Sequence, residues 1–281
     1  MRGDAVPDEY LAANLASWDE SVAIHVGSEL YDVAGFKAGK SSLSALELEE
    51  LGPLVHEGTT LLHLQCHFGL DTLSWARRGA VVTGADFSGE GIATARALAD
   101  EVGLSARATF VQSDIAALPS ALEGRFDVVY TSWGALIWLG DLERWAEVVT
   151  HFLRPGGSFY LAEFHPYAYL PAEDSTPDSL RVEYPYFQHG APLRFDEEGD
   201  YADPAATQRH TVTYEWNHGF AEIIDPLLRR GLRLEFLHEF PFTIPGLPFP
   251  FLERCTDGLL RVKGHHDDVP LSFSLLMTRE V

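Results

Sequence analysis

From residue 59 to residue 165 the chain alternates short apolar runs with segments of helical period, and this rhythm restricts the fold more than any other feature. "TTLLHL" (59–64), "AVVTGAD" (80–86), "RATFVQSD" (107–114), "RFDVVYTS" (125–132) and "SFYLAEF" (158–164) read as strands. Between them, "GLDTLSWARRG" is a helix stopped by Gly79. "GEGIATARALADEVG" is a second, with Ser88 placed to cap it and Gly103 to stop it. A third runs from Asp141 to Leu153 with apolar residues at 142, 145, 148, 149 and 152, and "RPGG" should end it. Strands separated by helices need crossover connections, so the sheet is expected to be doubly wound and mostly parallel.

The flanks follow other patterns. Leu11, Leu15, Trp18 and Val22 give residues 8–24 a helical spacing, and "SALELEELG" reads as a second short helix ending at Gly52. After residue 165 a stretch rich in Pro, Asp and Tyr has no sustained period, which reads as an insert of loops and short strands, expected to act as a lid over a site. Asn217 is expected to cap "HGFAEIIDPLLRRG"; "LRLEFLHEF" and "VPLSFSLLMTRE" read as strands around a Pro- and Phe-rich loop at 241–251. The organisation expected is one domain over 1–281: an N-terminal helical cap (1–57), a core (58–165), the insert (166–212) and a C-terminal part of the sheet (213–281).

Charge narrows the partners. Twenty Lys and Arg against 42 Asp and Glu leave a formal charge of −22, which repels phosphate backbones and anionic lipid surfaces. Nucleic acid and membrane are therefore not expected as partners; a small molecule is, with the chain a monomer or homodimer. No run approaches the roughly 18 apolar residues of a spanning helix, and "MRGDAVPDEY" is acidic where a signal peptide would be basic, so a cytoplasmic location is expected. Cys66 and Cys255 stand far apart outside any C-x-x-C pair, and "GHHDD" at 264–268 reads as a solvated turn, so no metal is expected.

Ligands of open α/β sheets lie beyond the carboxyl ends of the strands, near the point where strand order reverses. That rule selects His63, Gln65, Cys66 and Gly69 after the first strand; Asp86, Phe87 and Ser88 after the second; Ser113, Asp114 and Ile115 after the third; and Ser132 and Trp133 after the fourth. Asp86 is placed to accept hydrogen bonds from both hydroxyls of a ribose. Asp114 could meet an adenine amine, with Phe87 and Ile115 against the ring. Either acid also reads as a plain cap of the helix that follows it. A dinucleotide needs its diphosphate against bare backbone N–H groups, hence G-x-G-x-x-G. Here Gln65, His67 and Phe68 crowd a turn whose one glycine is Gly69, which suits a nucleoside without phosphate, such as S-adenosylmethionine, better than NAD.

With these residues in view, positions 59–165 resemble the core of class I S-adenosylmethionine-dependent methyltransferases, of the small-molecule type that includes the ubiquinone/menaquinone C-methyltransferases. "HLQCHFG" (63–69) corresponds to the glycine-rich first motif, "VTGADFS" to the ribose-binding motif through Asp86, and "VQSDI" to the adenine motif through Asp114. The stretch from "FDVVYTSWGAL" to "LRPGGSFYLAE" is similar to the fourth-strand and fifth-strand region. The resemblance implies seven strands with the seventh antiparallel, S-adenosylmethionine as cofactor, S-adenosylhomocysteine as product and Tyr31 near the cofactor's amino acid end. His63 stands where the family usually has a carboxylate, and Gln65 and His67 stand where it has glycines.

The implied reaction is an in-line displacement in which positioning can supply about 7–11 kcal/mol and a base roughly 10²–10⁴-fold. O- or N-methylation is favoured. His165, just after the fifth strand, is the first candidate for a base and His218 the second; each also reads as a structural turn or helix-start residue. Trp18, Trp138 and Tyr184 are candidate substrate contacts in a closed aromatic pocket. A non-catalytic S-adenosylmethionine-binding protein and an NAD-type oxidoreductase are the alternatives.

Overall fold

A computed structural model describes residues 8–188, 190–247 and 249–281; residues 1–7 of the expected cap lie outside the described residues. In chain order the elements are α1 (Asp8–Gly27), α2 (Val33–Lys37), α3 (Ala45–Glu50), β1 (Thr60–Leu64), α4 (Leu70–Arg77), β2 (Val81–Asp86), α5 (Gly89–Glu101), β3 (Ala108–Gln112), α6 (Leu118–Ala121), β4 (Phe126–Ser132), α7 (Leu142–Phe152) and β5 (Leu153–Phe164). They continue with β6 (Leu193–Asp196), β7 (Val212–Glu215), α8 (Phe220–Arg229), β8 (Leu232–Phe240), β9 (Leu252–Arg254), β10 (Leu260–Val262) and β11 (Ser272–Arg279).

Seven strands form one sheet in the order β3-β2-β1-β4-β5-β11-β8. The pairs from β3 to β5 are parallel, and β11 is antiparallel to both neighbours, as expected. Alternation along each strand fills two cores. Leu62, Val129 and Leu161 point to one face with Trp145, Val149 and Phe152 of α7. Leu61, Val128 and Tyr160 point to the other with Trp75 of α4. Because both faces are covered, the central strands read as nearly continuous apolar runs. Strand order reverses between β1 and β4, where Leu61 pairs with Val128 and Leu62 with Val129. There the two crossovers diverge and leave a crevice.

Three local expectations are corrected. Asn217 does not cap α8, which begins after Gly219. Its Nδ2 donates to the Pro185 carbonyl (3.0 Å) and its backbone N–H to Gln188 Oε1 (2.8 Å), tying the expected insert to the C-terminal part of the sheet. "RPGG" does not end α7, which stops at Phe152; the glycines lie within β5, where the β4 register slips between Phe126 and Val128. The loop after β8 runs into a hairpin of β9 and β10, unforeseen because its strands are three residues each. Ser88 caps α5 as expected, accepting from Gly91 N–H at 2.9 Å. Within 166–212 lies β6, which pairs antiparallel with β7; β7 joins α1 through the two hydrogen bonds between Asn14 and Tyr214. Among the described residues no helix is long and apolar enough to cross a membrane.

Candidate active site

The carboxyl ends of β1, β2 and β4 open into a cavity of about 1260 Å³. Its floor is the turn from β1 to α4, where Gln65 (φ 58°), His67 (φ 51°) and Gly69 (φ 84°) all take left-handed backbone angles. Those are the three positions where the first motif would carry glycine, so the turn keeps its shape although two of the glycines are gone. A left-handed residue with a side chain costs about 1–2 kcal/mol, and such strain concentrates at functional sites. Each side chain finds an anchor: Gln65 Nε2 donates to the Ala135 carbonyl at 2.8 Å, and the His67 ring meets His25. Gln65 Oε1, also buried, has no hydrogen-bond partner among the described residues.

Asp86 closes β2 and lines the cavity. Its carboxylate accepts from His67 N–H (2.8 Å) and Ser88 N–H (2.9 Å). Burial pushes its pKa up to about 6 against those donors. Further along the wall, Asp71 opens α4 and sits 3.4 Å from Ser132 Oγ; burial, then repulsion from Glu47, pushes its pKa up to about 7. Glu47 completes a capping box with Ser44 and accepts from Tyr130 Oη and Trp133 Nε1. Burial holds the His63 imidazole down at about 3, with its Nδ1 2.8 Å from Thr72 Oγ1.

Over this floor, α1 and the segment around residue 200 carry a second polar chain. His25 Nδ1 lies 2.7 Å from His67 Nε2, and His25 Nε2 lies 3.0 Å from each carboxylate oxygen of Asp200. Trp18 packs edge-on to His25, His67 and Trp138, while Tyr31 stacks on His25 and hydrogen-bonds Tyr201.

Of the residues selected from sequence, the cavity lining contains Tyr31, His63, Gln65, Cys66, Gly69, Asp86, Phe87, Ser132 and Trp133, and also Trp18, Trp138 and Tyr184. Six others lie outside it. Ser88 is buried as the α5 cap and donates to Asp19. Asp114 turns back on its own loop and accepts from Ala116 N–H at 2.8 Å, Ser113 donates to the Asp114 carbonyl, and Ile115 packs into the core. His165 has both ring nitrogens committed, Nδ1 accepting from Tyr167 N–H and Nε2 facing Glu239, with its ring against Phe220 and Phe273. His218 meets the Leu139 carbonyl through Nε2. Neither histidine lines the cavity: His165, at the turn after β5, packs against Phe220 and Phe273, and His218 lies just before α8.

Sequence reasoning missed Glu47, Asp71 and the His25–Asp200 pair. Nothing in a sequence joins residues 175 positions apart. His67 was noticed only as an obstruction in the turn. Ten acidic side chains line the cavity against two cationic ones, Lys40 and Arg254; burial keeps Asp71 and Glu215 protonated up to about pH 7, yet the remaining carboxylates still outnumber the cations, and Lys40 is already paired with Asp32 at 2.7 Å. The field inside thus opposes anions. Among the described residues no cluster of His, Cys, Asp and Glu has the arrangement of a metal site.

Residues 61–157 match the protein-family model described as "Methyltransferase domain". No curated protein matches the chain. Among solved structures it is similar to geranyl diphosphate C-methyltransferase from Streptomyces coelicolor A3(2), with a TM-score of 0.57 at 12% identity over 98% of each chain. It is similar to an S-adenosylmethionine-dependent methyltransferase from Clostridium acetobutylicum ATCC 824, with a TM-score of 0.57 at 13% identity over 94% of this chain and 99% of that one. The [4+2]-cyclase SpnF aligns at a TM-score of 0.54 and 16% identity, over 95% and 98%. At such identities the likeness establishes the fold; a cyclase among the matches shows that the fold alone does not fix the reaction.

Proposed function

We propose, for a chain with the class I S-adenosylmethionine-dependent methyltransferase fold and a methyltransferase domain at residues 61–157, that it transfers the methyl group of S-adenosylmethionine to a small neutral or cationic acceptor, at oxygen or nitrogen. The observation that carries the reading is Asp86, a carboxylate at the carboxyl end of β2, beside the reversal of strand order and inside the cavity. The fit of the cofactor finds support in the left-handed β1–α4 turn and in the unpartnered Gln65 Oε1, which offers an acceptor to an ammonium group. When bound, the cofactor would supply a methyl group already activated by its sulfonium charge. Asp86 would hold the ribose hydroxyls, Gln65 the amino acid end, and Tyr31 the space beside it.

The resemblance of residues 59–165 to the small-molecule type of core, the type that includes the ubiquinone/menaquinone enzymes, supports the small-molecule class. The acceptor would lie under the segment 166–212, against Trp18, Trp138 and Tyr184, in a pocket that excludes water once filled. The surplus of carboxylates favours an amine or a neutral hydroxyl compound over a phosphorylated or carboxylated one. Against a dinucleotide, the side chains of Gln65 and His67 stand where a diphosphate needs bare backbone.

The test is a screen with S-adenosylmethionine carrying a tritiated methyl group, against matched amines, alcohols, phenols, carboxylates and phosphates. Label in an amine, alcohol or phenol and none in the anions is expected. Transfer confined to anions would overturn the charge argument, and no label in any acceptor would favour the non-catalytic alternative.

A further inference from the structure

We infer that His67 is the catalytic base that takes the acceptor's proton, positioned for it by His25 and Asp200; this rests on the methyl-transfer reading above. An ionised carboxylate only accepts hydrogen bonds, so the two 3.0 Å contacts from Asp200 put a proton on His25 Nε2. With His25 neutral, the state this inference requires, that is its one N–H and its Nδ1 is left as an acceptor. The 2.7 Å contact to His67 therefore uses the N–H of His67 Nε2. That assigns the only proton of the neutral His67 ring and leaves its Nδ1 with a free lone pair. No hydrogen bond from a described residue reaches that nitrogen, and His67 lines the cavity.

The surroundings hold this arrangement still. His25 is fully buried and the Asp200 side chain is 5% exposed. Trp18 stands against both imidazoles with ring centroids 5.6 and 5.0 Å away, and the His67 backbone is pinned to Asp86. Burial keeps the His67 pKa well below the ordinary imidazole range, so the ring is neutral at physiological pH. His67 thus lies between the acid assigned to the cofactor's sugar and the helix over the acceptor.

In the step, the acceptor's lone pair takes the methyl group and the sulfonium sulfur keeps the electron pair of the broken S–C bond. The acceptor's proton passes to His67 Nδ1. The imidazolium so formed is held by His25, whose other nitrogen is bound to the Asp200 carboxylate, as a carboxylate steadies a histidine base in hydrolases.

Two measurements decide it. In protein labelled with ¹⁵N-histidine and saturated with S-adenosylhomocysteine, two-bond ¹⁵N–¹H spectra should show His67 protonated at Nε2 and bare at Nδ1, and Asp200→Ala should mix the tautomers. In the labelled-methyl assay, His67→Gln should lower kcat by at least about 100-fold, with S-adenosylhomocysteine affinity within about threefold of wild type. A proton on Nδ1 in the wild type, or full turnover by a folded His67→Gln, overturns the inference. So does a loss of S-adenosylhomocysteine affinity as large as the loss of turnover, which would make His67 a cofactor-binding residue. Wild-type protein that binds no S-adenosylhomocysteine fails the methyl-transfer reading, and this inference with it. Binding with Nδ1 protonated fails this inference alone.

Discussion

Replacing Gly69 with alanine tests whether the β1–α4 turn is as tightly built as its geometry says. Gly69 sits at φ 84°, and a Cβ there would lie 2.8 and 2.9 Å from two Phe110 ring atoms and 3.0 Å from Ala95 Cβ. Phe110 is 4% exposed and packed among Leu73, Ile92 and Phe68, so the ring cannot step aside without disturbing a core. The left-handed angle costs an L-residue about 1–2 kcal/mol, and overpacking a filled core adds about 1–3 kcal/mol. The expected loss is about 2–5 kcal/mol. At roughly 2–4 °C per kcal/mol for a protein approaching this size, calorimetry should show Tm falling by about 5–15 °C. Gly103 is the control: its φ is 72° but a Cβ there would meet nothing within 4 Å, so Gly103→Ala should lose only about 1–2 kcal/mol. If chemical denaturation puts the two variants within about 0.5 kcal/mol of each other, near the scatter expected at uncrowded sites, the packing argument is wrong.

Asp71→Asn should gain stability relative to wild type as pH rises from 5 to 8. The native carboxyl titrates at about 7, so it keeps a proton that the unfolded chain has already lost above its lower pKa. Its contribution is therefore present at low pH and lost as pH rises through 7. A relative gain of about 2–3 kcal/mol, two pKa units' worth between pH 5 and 7, is expected in urea melts, and an unchanged difference would contradict the burial of the group. His63, held at about 3, has the opposite slope, its contribution being lost as pH falls below the unfolded imidazole's pKa; the comparison of variants removes that background. Iodoacetamide should modify Cys255 in the native protein and Cys66 only after unfolding, because Cys66 is buried and its thiol is pushed up by burial and by Asp86; equal labelling by mass spectrometry would refute this. Trp145→Ala, emptying a 1%-exposed site between α7 and the sheet, should cost about 3–5 kcal/mol in the same melts, and a loss below about 1 kcal/mol would show the site is not packed as described.

The sheet was legible because burial on both faces leaves a direct imprint in sequence. Leu61, Leu62 and Leu64 need apolar neighbours on both sides, and Asp86, Ser88 and Gly103 punctuate the helices by local rules. The floor of the site followed from those strand ends. Asp114 falls outside the cavity lining, where the sequence did not place it, because a carboxylate that accepts from its own turn has the same spelling as one that faces a ligand. His165 falls outside the lining because strand-end position does not say toward which side of the sheet the chain next turns. The upper wall was illegible for another reason: His25, His67 and Asp200 meet only after α1 and the segment 166–212 have folded over the sheet, and their contacts carry no local period.

The most direct test of the central claim is calorimetric titration of S-adenosylhomocysteine into the wild-type chain and into Asp86→Ala of unchanged circular dichroism. One site per chain is expected, weakened at least tenfold, about 1.4 kcal/mol, by removal of the acid. Equal affinity in the two proteins, or no binding to wild type, would contradict a cofactor held by its sugar at the end of β2.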